Sequence, residues 1–128
     1  MERVNPPELA APRGFAHAVV GTGTVVFLAG QTALDRDGRI VGDDVVAQFE
    51  QALGNLLTAL QAAGGAPHQL ASLTVYAVDL ADYRAHAREI GAVWGRLVGR
   101  DYPAMAGIGV SRLWDAEALV EVQGMALL

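Results

Sequence analysis

Residues 43–78 read DDVVAQFEQALGNLLTALQAAGGAPHQLASLTVYAV, and this stretch sets the character of the fold. Asp43 or Asp44 can cap a helix whose apolar positions Val45, Phe49, Leu53, Leu56, Leu60 and Ala63 recur every three or four residues, the spacing that gathers them on one face. Gly64-Gly65 stops it. Leu73 to Val78 then forms a run rich in β-branched and aromatic residues, which predicts a strand.

Toward the N-terminus, Phe15 to Val20 and Thr24 to Ala29 flank Gly21-Thr22-Gly23 and predict a hairpin. Asp35-Arg36-Asp37-Gly38 makes a turn. Residues 1–14 hold Pro6, Pro7 and Pro12 without periodicity and read as an extended arm rather than an element. Toward the C-terminus, Asp82 starts a second helix with Tyr83, Ala87, Ile90, Trp94 and Leu97 along one stripe, ending near Gly99. After Tyr102-Pro103, the runs Met105 to Arg112 and Leu119 to Leu127 read as two antiparallel strands joined by a polar loop containing Trp114-Asp115-Ala116-Glu117. The predicted order is ββαβαββ, an α+β domain. Two amphipathic helices cover one face of such a sheet, yet Val25-Val26-Phe27-Leu28 carries apolar residues on both faces. The second face therefore needs a partner, and self-association is the economical solution.

The chain has 128 residues, 52% hydrophobic and 18% charged, which suits a single domain spanning 1–128. Cysteine is absent, so disulfides, thiolate metal sites and cysteine nucleophiles are excluded. All nine basic residues are arginine, which excludes a lysine Schiff base and a Walker-type phosphate lysine. The net charge of −5 and the lack of any basic run disfavour nucleic acid as a partner. No apolar stretch is long enough to cross a bilayer, and Met-Glu-Arg-Val-Asn-Pro-Pro is no signal-peptide core, so the expectation is a cytoplasmic protein without membrane contact.

The last strand alternates: Leu119, Glu121, Gln123 and Met125 share one side, and Val120, Val122, Gly124 and Ala126 the other. Glu121 is thus an acid in an apolar strand, either stripped of water and suited to general acid/base work, or a structural carboxylate bonded to an arginine or to backbone amides at a subunit interface. In the strand taken as its neighbour, Met105, Gly107, Gly109 and Ser111 share a face, and the two glycines leave a slot that is expected to face Glu121, open to a ligand or to another chain. His17, His68 and His86 show no metal-ligand spacing. Ser72 and Ser111 lie in no nucleophile elbow, and Gly21-Thr22-Gly23 lacks the third glycine of a dinucleotide loop. Tyr76, Tyr83 and Trp94 read as core, and Arg84, Arg88, Arg96 and Arg100 as a solvated helical face.

An ordered series of fragments then carries a resemblance: Gly14-Phe15-Ala16-His17-Ala18-Val19, Phe27-Leu28-Ala29-Gly30-Gln31, Gly42-Asp43, Gln51-Ala52-Leu53-Gly54-Asn55-Leu56, Thr74-Val75-Tyr76, Asp79-Leu80-Ala81-Asp82-Tyr83, Tyr102-Pro103-Ala104 and Leu119-Val120-Glu121-Val122. From about residue 5 to the C-terminus the chain resembles the Rid family, the YjgF-like reactive intermediate deaminases. The resemblance implies a chorismate-mutase-like fold, a homotrimer whose sheets form a central barrel, and a small-molecule cleft between neighbouring subunits. It further implies hydrolysis of enamines and imines to 2-oxo acids and ammonia without metal or organic cofactor.

By the same resemblance Glu121 matches the water-positioning glutamate, Gly30 the glycine of a Ser-Gly-Gln segment, and Phe15 the aromatic residue of the first strand. The carboxylate clamp departs from the pattern. Pro-Ala-Arg is here Pro103-Ala104-Met105, the serine before Gly30 is Ala29, the first-strand tyrosine is Phe15, the second-helix asparagine is Ala87, and a frequent cysteine is Gly107. A guanidinium holds a carboxylate through charge-assisted bonds worth about 1.5 to 3 kcal/mol each, so its loss weakens recognition of a 2-imino acid by roughly 100-fold or more. The expected cleft is more apolar and roomier near Gly107 and Gly109, which suits an uncharged or bulkier ligand, with Arg13 or Arg100 as candidate replacements for the clamp across a subunit boundary. The resemblance thus leaves an enzyme acting through Glu121 and water on an imine, enamine or related carbonyl compound, or a ligand-binding trimer without catalysis. Ribonuclease activity, ascribed to some relatives, would require a cationic surface that the net charge does not promise.

Overall fold

A computed structural model describes residues 1–128. It contains a two-stranded sheet of β1 (Glu2–Val4) and β2 (Ala18–Val20), and a four-stranded sheet of β3 (Val25–Gln31), β4 (Leu70–Ala77), β5 (Ala104–Gly109) and β6 (Val120–Leu127). The order in the larger sheet is β3-β6-β4-β5. Strand β6 runs antiparallel to both β3 and β4, and β4 runs parallel to β5. Three helices, α1 (Val45–Ala62), α2 (Leu80–Ala85) and α3 (Ala87–Leu97), complete the mixed α+β fold.

Helix α1 starts where the Asp44 side chain accepts the Ala47 N–H at 2.8 Å. It stops as the chain turns at Gly64 (φ +94°), and a β-carbon on Gly65 would fall 2.4 Å from Leu60 Cδ1. The apolar stripe predicted from the sequence is the buried one: Phe49, Leu53, Leu56 and Leu60 pack on Leu70, Leu73, Val120 and Val122. Each such side chain contributes about 1.5–3 kcal/mol by leaving water. Helix α3 adds Ile90, Val93 and Trp94 to the same core.

The second helical region begins at Leu80, two residues before Asp82. Asp79 is the cap, accepting the Asp82 N–H at 3.0 Å, and the helix is interrupted at His86 (φ −104°, ψ 20°), which separates α2 from α3. Together they form the crossover that a parallel β4–β5 pair requires.

Three pairings differ from those expected. The segments around Gly21-Thr22-Gly23 form no hairpin: β2 pairs with β1, and β3 with β6. The glycines serve a close approach instead, since a β-carbon on Gly23 would lie 2.2 Å from the Leu128 carbonyl oxygen, and Thr24 and Leu128 exchange backbone hydrogen bonds of 3.1 and 2.9 Å. Residues 1–14 do include an element, because Glu2–Val4 finds β2 as its partner, and Arg3 Nε donates to the Tyr102 carbonyl at 2.8 Å. Strands β5 and β6 are not neighbours either. Strand β4 lies between them, and Ser111 lies beyond the end of β5. Alternation fixes which residues share a face but not which edge of a strand meets which partner.

The helices cover one face of the larger sheet, as expected. The other face exposes Phe27 (79%), Ile108 and Met125.

Candidate functional site

Cross-strand register sorts the predicted site residues onto two faces. Leu73 lies opposite both Met105 and Gly124, Val75 opposite Gly107 and Val122, and Ala77 opposite Gly109 and Val120. Directly paired residues point to the same side, so Met105, Gly107 and Gly109 belong to the helix-covered face. Tyr76 lies opposite Glu121 and Ile108, which puts Glu121 on the open face. The glycine slot therefore does not face Glu121 within one chain. The sheet itself stands between them.

On the helix side, β5 is an edge strand that the helices only partly cover, and the gap is a cleft of about 190 Å³. Met105, Tyr102 and Ile90 form its walls, and Ala87 and Gly91 supply its width. The α3 stripe carries large side chains except at these two positions, and the missing volume is the cleft. Trp94, almost wholly buried, closes the floor: its ring stacks on Tyr102 with centroids 5.0 Å apart, and its Nε1 donates to the Asp101 carbonyl at 3.1 Å. An adjoining hollow of about 170 Å³ continues past Met105 and Tyr83 to Phe15 and Gly107. A β-carbon on Gly107 would meet nothing within 4 Å, so the slot read from the sequence exists as open space. Phe15, Ala87, Met105 and Gly107 are thus brought together.

The second group is Glu121 with Gly30. A β-carbon on Gly30 would lie 3.0 Å from Glu121 Cδ and Oε2, so the carboxylate rests on the bare glycine backbone. The register of β3 on β6 shifts between Leu28 and Gln31, a bulge that flanks this contact. Neither an arginine nor a backbone amide of the same chain holds the carboxylate: the two ion pairs are His86–Asp82 and Arg96–Glu50.

The remaining candidates settle as structural groups. The His17 ring, at an edge to Phe15 with centroids 4.9 Å apart, donates from Nε2 to the Ala10 carbonyl at 2.7 Å, which ties the arm down. His86 Nδ1 lies 2.9 Å from the Asp82 carbonyl oxygen, a contact that raises its pKa above the ordinary histidine value, and His68 is exposed. No cluster of three potential metal-ligating side chains exists. Arg84, Arg88, Arg96 and Arg100 are all exposed, and Arg100 does not line the cleft.

One cleft group, Tyr83, was not assigned there from the sequence, and another, Arg13, was named without being placed. Tyr83, read as core, packs against the core but also lines the cleft, where burial first and the neighbouring Tyr102 second push its pKa up to about 12. Arg13 lines the cleft from within the same chain rather than across a subunit boundary. For Tyr83 the readable signal was its place on the stripe that passes through Ala87 and Gly91. For Arg13, in a stretch without periodicity, there was none.

Comparison with known proteins gives consistent matches. Residues 6–128 match the family described as endoribonuclease L-PSP. A RutC family protein of Pyrococcus horikoshii is 31% identical over 116 residues, covering 90% of this chain and 88% of that one. The crystal structure of YyfB from Yersinia pestis, a Rid-family protein of unknown function, superposes with a TM-score of 0.89 at 33% identity, covering 99% of this chain and 98% of that one. Escherichia coli TdcF, solved with bound serine, gives 0.73 at 26%, with 92% and 91% covered. No helix is long and apolar enough to cross a membrane.

Proposed function

The chain belongs to the Rid (YjgF, endoribonuclease L-PSP) family, and from that premise we propose that it is a cytoplasmic small-molecule enzyme whose working site is shared between copies of the chain. The Met105 cleft of one subunit would face the Glu121–Gly30 pair of the next in a homotrimer. The exposed apolar face carrying Phe27, Ile108 and Met125 is the surface such an assembly would bury. Opposite-face placement of Met105 and Glu121 supports this reading, because one ligand can touch both only where two chains meet.

The observation that carries the chemistry is the carboxylate of Glu121, resting on Gly30 without a protein partner. In the proposed reaction Glu121 takes a proton from water as the water oxygen bonds to the carbon of an imine and the C=N π pair moves to nitrogen, and Glu121 returns that proton to the nitrogen. The carbinolamine then collapses: its hydroxyl proton passes through Glu121 to the nitrogen, C–N breaks, and ammonia leaves a carbonyl product. The same base would serve a tautomerisation. No cofactor is required. The bound serine of TdcF fits a site of small-molecule size, whereas a net charge of −5 gives an RNA backbone little to bind.

A second reading is a ligand-binding trimer without catalysis. It is favoured by the apolar replacements Phe15, Ala29, Ala87 and Met105, where the family pattern has polar groups.

Ammonia release from freshly generated 2-iminobutyrate separates the two. Wild type is expected to be slow, Met105→Arg to gain at least about tenfold, and Glu121→Ala to remove the gain in that background. Archetype-like wild-type turnover would refute the role given to Met105. Activity that survives Glu121→Ala would make the carboxylate structural.

A further inference from the structure

Beside its apolar stripe, helix α1 carries three amides, Gln48, Gln51 and Asn55, at the spacing of three and four residues that sets them along one side. All three are bonded within the protein. Gln48, only 3% exposed, accepts the Leu119 N–H at 2.8 Å and donates to the Gly42 and Glu117 carbonyls at 3.1 and 3.2 Å. Asn55 donates to the Thr32 and Leu34 carbonyls at 3.1 and 2.8 Å, and its own oxygen accepts from Gln51 Nε2 at 3.0 Å. Leu119 lies two residues before Glu121, where the chain enters β6. Thr32 lies two residues after Gly30, where the chain leaves β3. The helix therefore grips the backbone just outside both members of the contact in which a β-carbon on Gly30 would stand 3.0 Å from the Glu121 carboxyl group.

We infer that Gln48 and Asn55 are positioning residues for Glu121, acting through Leu119 and Thr32 to fix where its carboxylate rests on the backbone of Gly30. This role rests on the reading of Glu121 as the base and adds what places it. Strand pairing alone does not. Leu28 lies opposite Gly124 and Gln31 opposite Val122, so the ladder leaves Ala29 and Gly30 facing the single residue Gln123. A bulge of this kind is free to bend until something beyond it is held. The Thr32 and Leu34 carbonyls bonded to Asn55 are that hold, and Gln48 supplies its counterpart on β6. The alternative is that both amides only staple loops, contributing stability and leaving the carboxylate where it is.

Carbon-13 NMR of the labelled Glu121 carboxyl group in the full-length protein separates the two. Asn55→Leu and Gln48→Met keep side chains of similar size and add no charge, so a moved resonance reports geometry rather than a new field. Leu60→Ala, on the buried stripe of the same helix, is the control for lost stability. The resonance should move in Asn55→Leu and Gln48→Met and stay in place in Leu60→Ala, although Leu60→Ala unfolds at lower urea than wild type. In the Met105→Arg background, Asn55→Leu should lower kcat on 2-iminobutyrate by roughly 10- to 100-fold with KM within about threefold of its parent. Circular dichroism checks that the variants are folded, and Gln48→Met decides alone where Asn55→Leu does not fold. A resonance unmoved in the folded amide variants, or moved as far in Leu60→Ala, overturns the inference. A resonance that moves while no variant hydrolyses the imine supports the inference and sinks only the reading of Glu121 as the base. Turnover that depends on Glu121 yet is unchanged in Asn55→Leu sinks the inference alone.

Discussion

The two faces of the four-stranded sheet are built from alternate residues of the same strands, yet they differ in almost every physical property. On one face Leu73, Val75, Val120 and Val122 are at most 2% exposed beneath α1 and α3. On the other, Phe27 is 79% exposed, with Ile108, Met125 and Glu121. A one-residue step along a strand crosses from core to surface, so a single run of sequence builds a buried side and an open one. The sharpest way to break this contrast is a pair of substitutions. Leu56→Ala, deep on the covered face, should lose about 2–5 kcal/mol in urea unfolding relative to wild type at the same protein concentration, with its sedimenting mass unchanged. Phe27→Asp should reduce the sedimenting mass to that of one chain and remove the dependence of apparent stability on concentration that an assembly confers. If Phe27→Asp leaves the mass unchanged, the open face is not the assembly surface.

A smaller effect is expected at the cleft, where the helices leave the covered face partly open. Burial raises the Tyr83 pKa from 10.0 to about 12, so the folded state keeps the phenol proton longer than the unfolded state does. This contributes stability that is fully present below pH 10 and is lost as pH rises toward 12, about 2–3 kcal/mol if the whole shift is realised. Tyr83→Phe should flatten that alkaline decline in a stability-versus-pH series while leaving stability near pH 7 within about 1 kcal/mol. An equally steep decline in the variant would assign it to other groups.

Much of the contrast was readable from the residues. The alternation in β6 placed Glu121 and Val122 on opposite sides, and the stripe from Val45 to Leu60 found its buried face. The glycine pair at 107 and 109 pointed to open space, and Gly107 borders it. What failed was long-range pairing. Nothing local told β3 to prefer β6 over β2, or inserted β4 between β5 and β6, because those choices depend on side chains distant in the chain packing in three dimensions. Reading β5 as the neighbour of β6 joined two half-sites that the sheet in fact separates. Arg13 could be named but not located, since its position is set by Gly14 turning over Tyr102, a contact across 88 residues.

The finest test of the contrast compares two glycines, one on each face. An alanine at position 30 brings its β-carbon to 3.0 Å from the Glu121 carboxyl group, the mobile end of a long side chain. The carboxylate can swing away, so Gly30→Ala should change stability by less than about 1 kcal/mol yet displace the one acid on that face. Gly107→Ala meets nothing within 4 Å and restricts the unfolded chain, so its stability should hold or rise by about 0.4–1 kcal/mol while the cleft narrows. Carbon-13 NMR of the labelled Glu121 carboxyl group reads the difference without relying on activity: its resonance should move in Gly30→Ala and stay in place in Gly107→Ala. A resonance that shifts equally in both variants would mean that the faces communicate through the sheet, and that the two half-sites are not the independent surfaces their geometry describes.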